Sequence, residues 1–145
     1  SRKIGALLVK DHSVVSMGFN GPPRGVPHCG HERYMKDKTL SHDELSLMFR
    51  NTCPRKVMGF KSGEGMQWCT AQHAEENAIS NAARLGVSVY GTTLYMDSVI
   101  PCQKCFGTLI NAGITDIVVC EDKVYDKHTQ FIIDNSNINI RKFNL

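Results

Sequence analysis

From Gln72 onward the sequence alternates between helix and strand, and that alternation restricts the chain to a sheet covered by helices. A helix is expected from about Gln72 to Leu85, stopped by Gly86. "TTLYMD" (92–97) is a strand. "PCQKCFGTLINAG" (101–113) enters a helix on proline and leaves it on glycine. "TDIVVCE" (115–121) is a strand, "KHTQFIIDN" (127–135) a helix and "INIRKF" (138–143) a closing strand. Upstream, "IGALLV" (4–9) and "SVVSMGF" (13–19) flank "KDH" and read as a hairpin. The order is β-β-(insertion)-α-β-α-β-α-β, with βαβ crossovers in the second half.

The insertion, residues 21–71, is irregular. "NGPPRGVPHCGH" (20–31) is rich in Gly and Pro, and residues 53–66 read as loop. Between them "SHDELSLMFRN" (41–51) suits an amphipathic helix, with Ser41 and Glu44 at capping-box spacing. At 145 residues the chain fits a single domain, 1–145, with this insertion inside it. A net charge of +3 is too mild to argue for a nucleic-acid or membrane partner. No apolar run approaches the roughly 20 residues of a membrane helix. The start of the sequence does not read as a signal peptide. A CxxC pair with nearby histidines therefore points to metal rather than disulfide, in a reducing, cytoplasmic setting.

Two motifs each begin a helix: "HAE" at 73–75 and "PCQKC" at 101–105. Cys102 and Cys105 are three apart and share a helix face. In a first turn, the positive end of the helix dipole lowers thiol pKa values and favours metal ligation. With His73 as third ligand, a tetrahedral zinc keeps a fourth place for water, the arrangement of a catalytic centre. Zinc, two thiolates and a neutral imidazole sum to zero charge. Glu75 is then the carboxylate beside that water, able to take its proton and return it. Alone, "CQKC" also fits a structural zinc or a redox pair, and a lone "HAE" also fits a helix-capping histidine. A second, structural zinc on Cys29, Cys53 and Cys69 with His31 would explain how the polar insertion stays folded; free, partly buried thiols are the alternative.

Together, H-x-E and P-C-x-x-C form the pattern of zinc-dependent nucleobase deaminases. Through "GFNGPPRGVPHC" (18–29), "HAEENAI" (73–79), "YMDSVIPCQKC" (95–105) and "DKVYDKH" (122–128), the chain resembles the cytidine deaminase superfamily, and within it the deoxycytidylate deaminases. The resemblance covers nearly the whole sequence; Phe19 stands where the family usually has tyrosine. It implies an α/β fold of three layers, α/β/α, around a five-stranded mixed sheet with helices on both faces. It also implies hydrolysis of dCMP to dUMP and ammonia, supplying dUMP for dTMP synthesis. Asn20 for the sugar, the backbone N–H of Ala74 for the base edge and Tyr125 for the 5′-phosphate are candidate substrate contacts, and Arg24 suits the 5′-phosphate or a regulatory triphosphate; a plain "NG" turn, a surface arginine and a packing tyrosine are the alternatives. Gly18, Phe19, Asn20 and Gly21 fall in the family's regulatory stretch. Activation by dCTP with magnesium, inhibition by dTTP and a homo-oligomer, commonly a hexamer, are implied in the same way.

Two other functions share part of this pattern. A deaminase acting on a base within nucleic acid, such as a tRNA adenosine, would need a basic face or stacking aromatics, and here the basic residues are scattered. A non-catalytic zinc-stabilised binding domain would need a fourth protein ligand and would have no use for Glu75.

Overall fold

The computed structural model describes residues 3–40 and 46–143. The Ser41–Glu44 capping box expected from the sequence lies outside the described residues. The described residues fall into two compact units: Gly21–Gln72, and the stretches that precede and follow it.

The larger unit contains the sheet. β1 (Gly5–Lys10) and β2 (Ser13–Phe19) form an antiparallel hairpin. Its two-residue turn places Asp11 and His12 at φ 49° and 61°. That is the left-handed pair demanded by the twist of a tight hairpin, and Asp tolerates it better than most residues. β3 (Thr93–Val99) pairs antiparallel with the other side of β1. β4 (Asp116–Glu121) and β5 (Asn139–Lys142) then add in parallel, giving the order β2-β1-β3-β4-β5. The α/β class and the five-stranded mixed sheet are those read from the sequence.

Three helices connect the strands: α4 (Ala74–Leu85), α5 (Gln103–Asn111) and α6 (Lys127–Asp134). α4 ends where Gly86 takes the left-handed conformation at φ 69°. The alternation of β1 and β3 puts Ala6, Leu8, Leu94 and Met96 on one sheet face. They close over Ala74 and Ala78 of α4 and Phe106 and Leu109 of α5, with Ile132 and Ile133 of α6 at the margin. Burying each large side chain of this core contributes about 1.5–3 kcal/mol. The opposite face aligns Leu7 with Met17 and Tyr95, and these remain 40%, 64% and 37% exposed. α4, α5 and α6 all contribute to the core on the first face.

β2 is an edge strand, and α4 is stitched to it. Asn20 N–H donates to Ile4 O, which makes the even-numbered residues of β2 the ladder partners of β1 and turns the carbonyls of Met17 and Phe19 outward. Asn77 Nδ2 donates to Phe19 O and Asn81 Nδ2 to Met17 O, each at 2.8 Å. Ser16 Oγ donates to Ala78 O at 2.7 Å.

The Gly21–Gln72 unit is less irregular than its composition suggests. It contains α1 (His31–Lys36), α2 (Ser46–Phe49), α3 (Pro54–Val57) and a 3-10 turn at Met66–Trp68. Its ends are joined by paired backbone bonds, Gly21 N–H to Gln72 O and Gln72 N–H to Gly21 O. Buried Leu40 and Phe49 supply apolar surface. Arg33, only 6% exposed, ties the unit together by donating to Asp37 Oδ2, Trp68 O and Cys29 Sγ.

Candidate metal centre

The starts of α4 and α5 bring the two sequence motifs together. His73 occupies the N-cap of α4 and Cys102 the N-cap of α5, both with extended backbone, and Cys105 lies in the first turn of α5. His73 Nδ1 stands 3.5 Å from Cys102 Sγ and 3.3 Å from Cys105 Sγ. Among the described residues, these three form the one group whose metal-capable atoms all lie within 4.8 Å of one another. Tetrahedral zinc, with a Zn–N bond near 2.05 Å and Zn–S near 2.3 Å, requires about 3.6 Å between nitrogen and sulfur. The separations in the protein are within a few tenths of an ångström of that value, so the donor set fits zinc.

The charges of the metal-free centre are arranged for the same purpose. Hydrogen bonds from Cys105 and from His73 hold the Cys102 thiol down to about 4, a thiolate at neutral pH. That thiolate, through its hydrogen bond, is the main reason His73 rises to about 8. Cys105 is pushed up, first by its hydrogen bond to Cys102 and then by burial.

Glu75 is 4% exposed and lies outside the ligand set. Burial raises its carboxyl above the ordinary value; His73 opposes the rise, and Cys102 and Glu76 add to it. A buried carboxyl of raised pKa beside a metal-ligand cluster suits proton transfer near neutrality.

Glu76 escaped the sequence reading. Its Oε2 accepts from the backbone N–H of His73 at 3.1 Å, the return bond of a capping box. The spacing was visible, since Glu76 is three residues after the N-cap, but the cap position holds histidine in place of the usual Ser or Thr.

The remaining candidates lie on other parts of the described structure. Asn20 Oδ1 accepts from Ile4 N–H at 2.8 Å, which fixes its carboxamide at the end of β2. Ala74 is the first residue of α4, where backbone N–H groups lack helical partners. Tyr125 is 49% exposed, beside Asp126, whose carboxylate caps α6 by accepting from His128 N–H and Thr129 N–H. Arg24 is exposed within the Gly21–Gln72 unit, and Gly21 is one half of the bridge that closes that unit. Phe19 is 69% exposed. Gly18 has a packing reason of its own: a Cβ there would collide with Ala74 O and Ala78 N of α4.

The second zinc site is not assembled. Burial raises the Cys29 thiol, Arg33 lowers it, and the neighbouring Cys53 adds to the rise. Cys29, Cys53, Cys69 and His31 nevertheless yield no group of three with ligand atoms within 4.8 Å. His31 Nδ1 instead accepts from Arg50 Nε at 3.1 Å, and Arg33 Nη1 donates to Cys29 Sγ at 3.5 Å. Arg33 and the paired Gly21–Gln72 backbone bonds are contacts that tie this unit together.

An α/β domain with a His-Cys-Cys centre at two helix starts and a buried glutamate beside it defines a class of metal-dependent domain. Residues 1–121 match the family profile described as the cytidine and deoxycytidylate deaminase zinc-binding region, and the chain belongs to that family. It is 28% identical over 142 residues to a deoxycytidylate deaminase of Saccharomyces cerevisiae, covering 98% of this chain and 38% of the relative. It is 30% identical over 139 residues to the deoxycytidylate deaminase of Enterobacteria phage T2, covering 88% of this chain and 72% of the relative. Thus the chain spans well under half the length of the yeast protein. Its fold is similar to a crystal structure of dCMP deaminase from cyanophage S-TIM5 in complex with dCMP and dUMP, with a TM-score of 0.63 at 21% identity, over 97% of this chain and 80% of that one. No helix among the described residues is long and apolar enough to cross a membrane.

Proposed function

We propose that the chain catalyses the zinc-dependent hydrolysis of dCMP to dUMP and ammonia. The observation that carries this reading is the buried Glu75 beside the His73-Cys102-Cys105 set. Family membership and the naming of relatives as deoxycytidylate deaminases support it. Held by these three residues, zinc supplies the Lewis acidity that brings the pKa of a water to about 7. Glu75 takes a proton from the attacking water and delivers it to N3 of cytosine. The water oxygen bonds to C4, and Glu75 then carries the second proton of that water to the exocyclic amino group. The C4–N bond breaks, ammonia leaves and the C4 carbonyl of dUMP remains. Its raised pKa lets Glu75 hold each proton between transfers.

On this reading Asn20 faces the sugar, Ala74 N–H the base edge, and Arg24 and Tyr125 the 5′-phosphate. Residues 1–145 act as one deaminase domain with 21–71 inserted. Regulation by dCTP with magnesium and by dTTP, a homo-oligomeric assembly and a cytoplasmic setting complete the proposal. The test is the loss of cytosine absorbance with dCMP, dCTP, deoxycytidine and CMP, each offered to zinc-loaded protein. Turnover should be fastest on dCMP. Zinc-loaded protein that turns over none of the four would overturn the reading, as would a preference for deoxycytidine.

A further inference from the structure

The Glu76 carboxylate is spent on the main chain of a metal ligand. His73 is the last residue before α4, at φ −74° and ψ 159°, so the helix does not fix its backbone. Its N–H points away from the helical ladder and is taken by Glu76 Oε2. That bond closes a ring over the first turn and sets the direction of the His73 Cβ. The direction matters because Cys102 and Cys105 arrive on a different helix, α5, and only the orientation of His73 brings its Nδ1 to 3.5 and 3.3 Å from their sulfurs. Glu76 is itself half-buried, one residue beyond Glu75.

We infer that Glu76 is a positioning residue for the metal centre, holding His73 in ligating geometry through its backbone rather than its ring. This rests on the zinc reading of the three-residue set. Partners that orient a metal ligand are worth about 10- to 100-fold in metal affinity. A backbone tether serves the same end as the ring-nitrogen partner that orients many metal-bound histidines.

The experiment compares wild type with Glu76→Ala and Glu76→Gln, each loaded with zinc and challenged with a chromophoric chelator. The same proteins loaded with cobalt(II) give absorption bands that report ligand geometry. Asp126→Ala is the control, because it removes the cap of α6 and touches no metal ligand. Glu76→Ala should release zinc about 10- to 100-fold faster and shift or broaden the cobalt bands. Glu76→Gln keeps an acceptor oxygen and should restore both. Asp126→Ala should lower thermal stability with zinc release unchanged. Wild-type release from Glu76→Ala overturns the inference, as does equal acceleration in Asp126→Ala, which would mark a general loss of stability. If wild type itself takes up no zinc, the metal-centre reading fails instead, and the two failures are distinguishable.

Discussion

Gly18 of β2 lies directly beneath Ala78 of α4, close enough that a single added carbon would strike the helix backbone. The colliding atoms, Ala74 O and Ala78 N, are main-chain atoms and cannot rotate away. Gly18→Ala is therefore expected to push α4 off the sheet, at a cost of about 1–3 kcal/mol or more. Because α4 carries His73 at its start, zinc affinity should fall with stability. Urea unfolding of the zinc-free and zinc-loaded forms measures both, and an unchanged midpoint would contradict the packing described.

Glu75→Gln separates chemistry from architecture. The amide keeps the shape of the buried side chain but cannot accept or release a proton at neutral pH. Turnover of dCMP should fall by about 100- to 10,000-fold or more, with one zinc per chain retained. Zinc analysis alongside the absorbance assay decides the matter. A fully active Glu75→Gln protein would remove the proposed proton carrier.

Zinc uptake should depend steeply on pH. In the metal-free centre at pH 7, Cys102, held at about 4, is already a thiolate, whereas His73, raised to about 8, and the raised Cys105 both carry protons. Binding must expel about two protons, so the apparent association constant should rise about 100-fold per pH unit below 8, then about 10-fold above it. Chelator competition at several pH values gives these slopes. Stability of the metal-free form follows the opposite signs of the two shifts. The His73 contribution is complete below its unfolded value of 6.5 and disappears as pH rises through about 8. The Cys102 contribution is complete above its unfolded value of 9.0 and is lost progressively as pH falls to about 4.

Arg33→Met tests what holds the Gly21–Gln72 unit. The substitution keeps the apolar stem and removes the donors to Asp37, Trp68 and Cys29. Leaving those acceptors without their partner should destabilise the unit by about 1–3 kcal/mol. Limited proteolysis should then cleave within residues 21–72 before it reaches the rest of the chain. Equal resistance in wild type and variant would show that the guanidinium is dispensable.

The elements after Gln72 were legible because their signals are local: Gly86 closes one helix, Pro101 opens another, and apolar alternation marks the strands between them. The ligand set was legible for a related reason. Each motif sits at a helix start, where one spacing fixes which side chains face the same way. The insertion was opaque, since its organising contact joins Arg33 to Trp68, 35 residues away, and no period announces it. The thiols at 29, 53 and 69 suggested a metal by residue type and by the polarity of the insertion; Cys29 does meet Cys53, but the set gives no group of three within 4.8 Å. Glu76 was hidden by an unusual cap residue, and the packing role of Gly18 by the absence of any side chain to read.

The two carboxamides that bind the outer carbonyls of β2 give α4 a protective duty besides its chemical one. An unguarded sheet margin recruits strands from other molecules. Any change that lifts this helix would therefore disarm the centre and bare the margin together, and damaged copies should be lost as aggregates before they accumulate as inactive monomers.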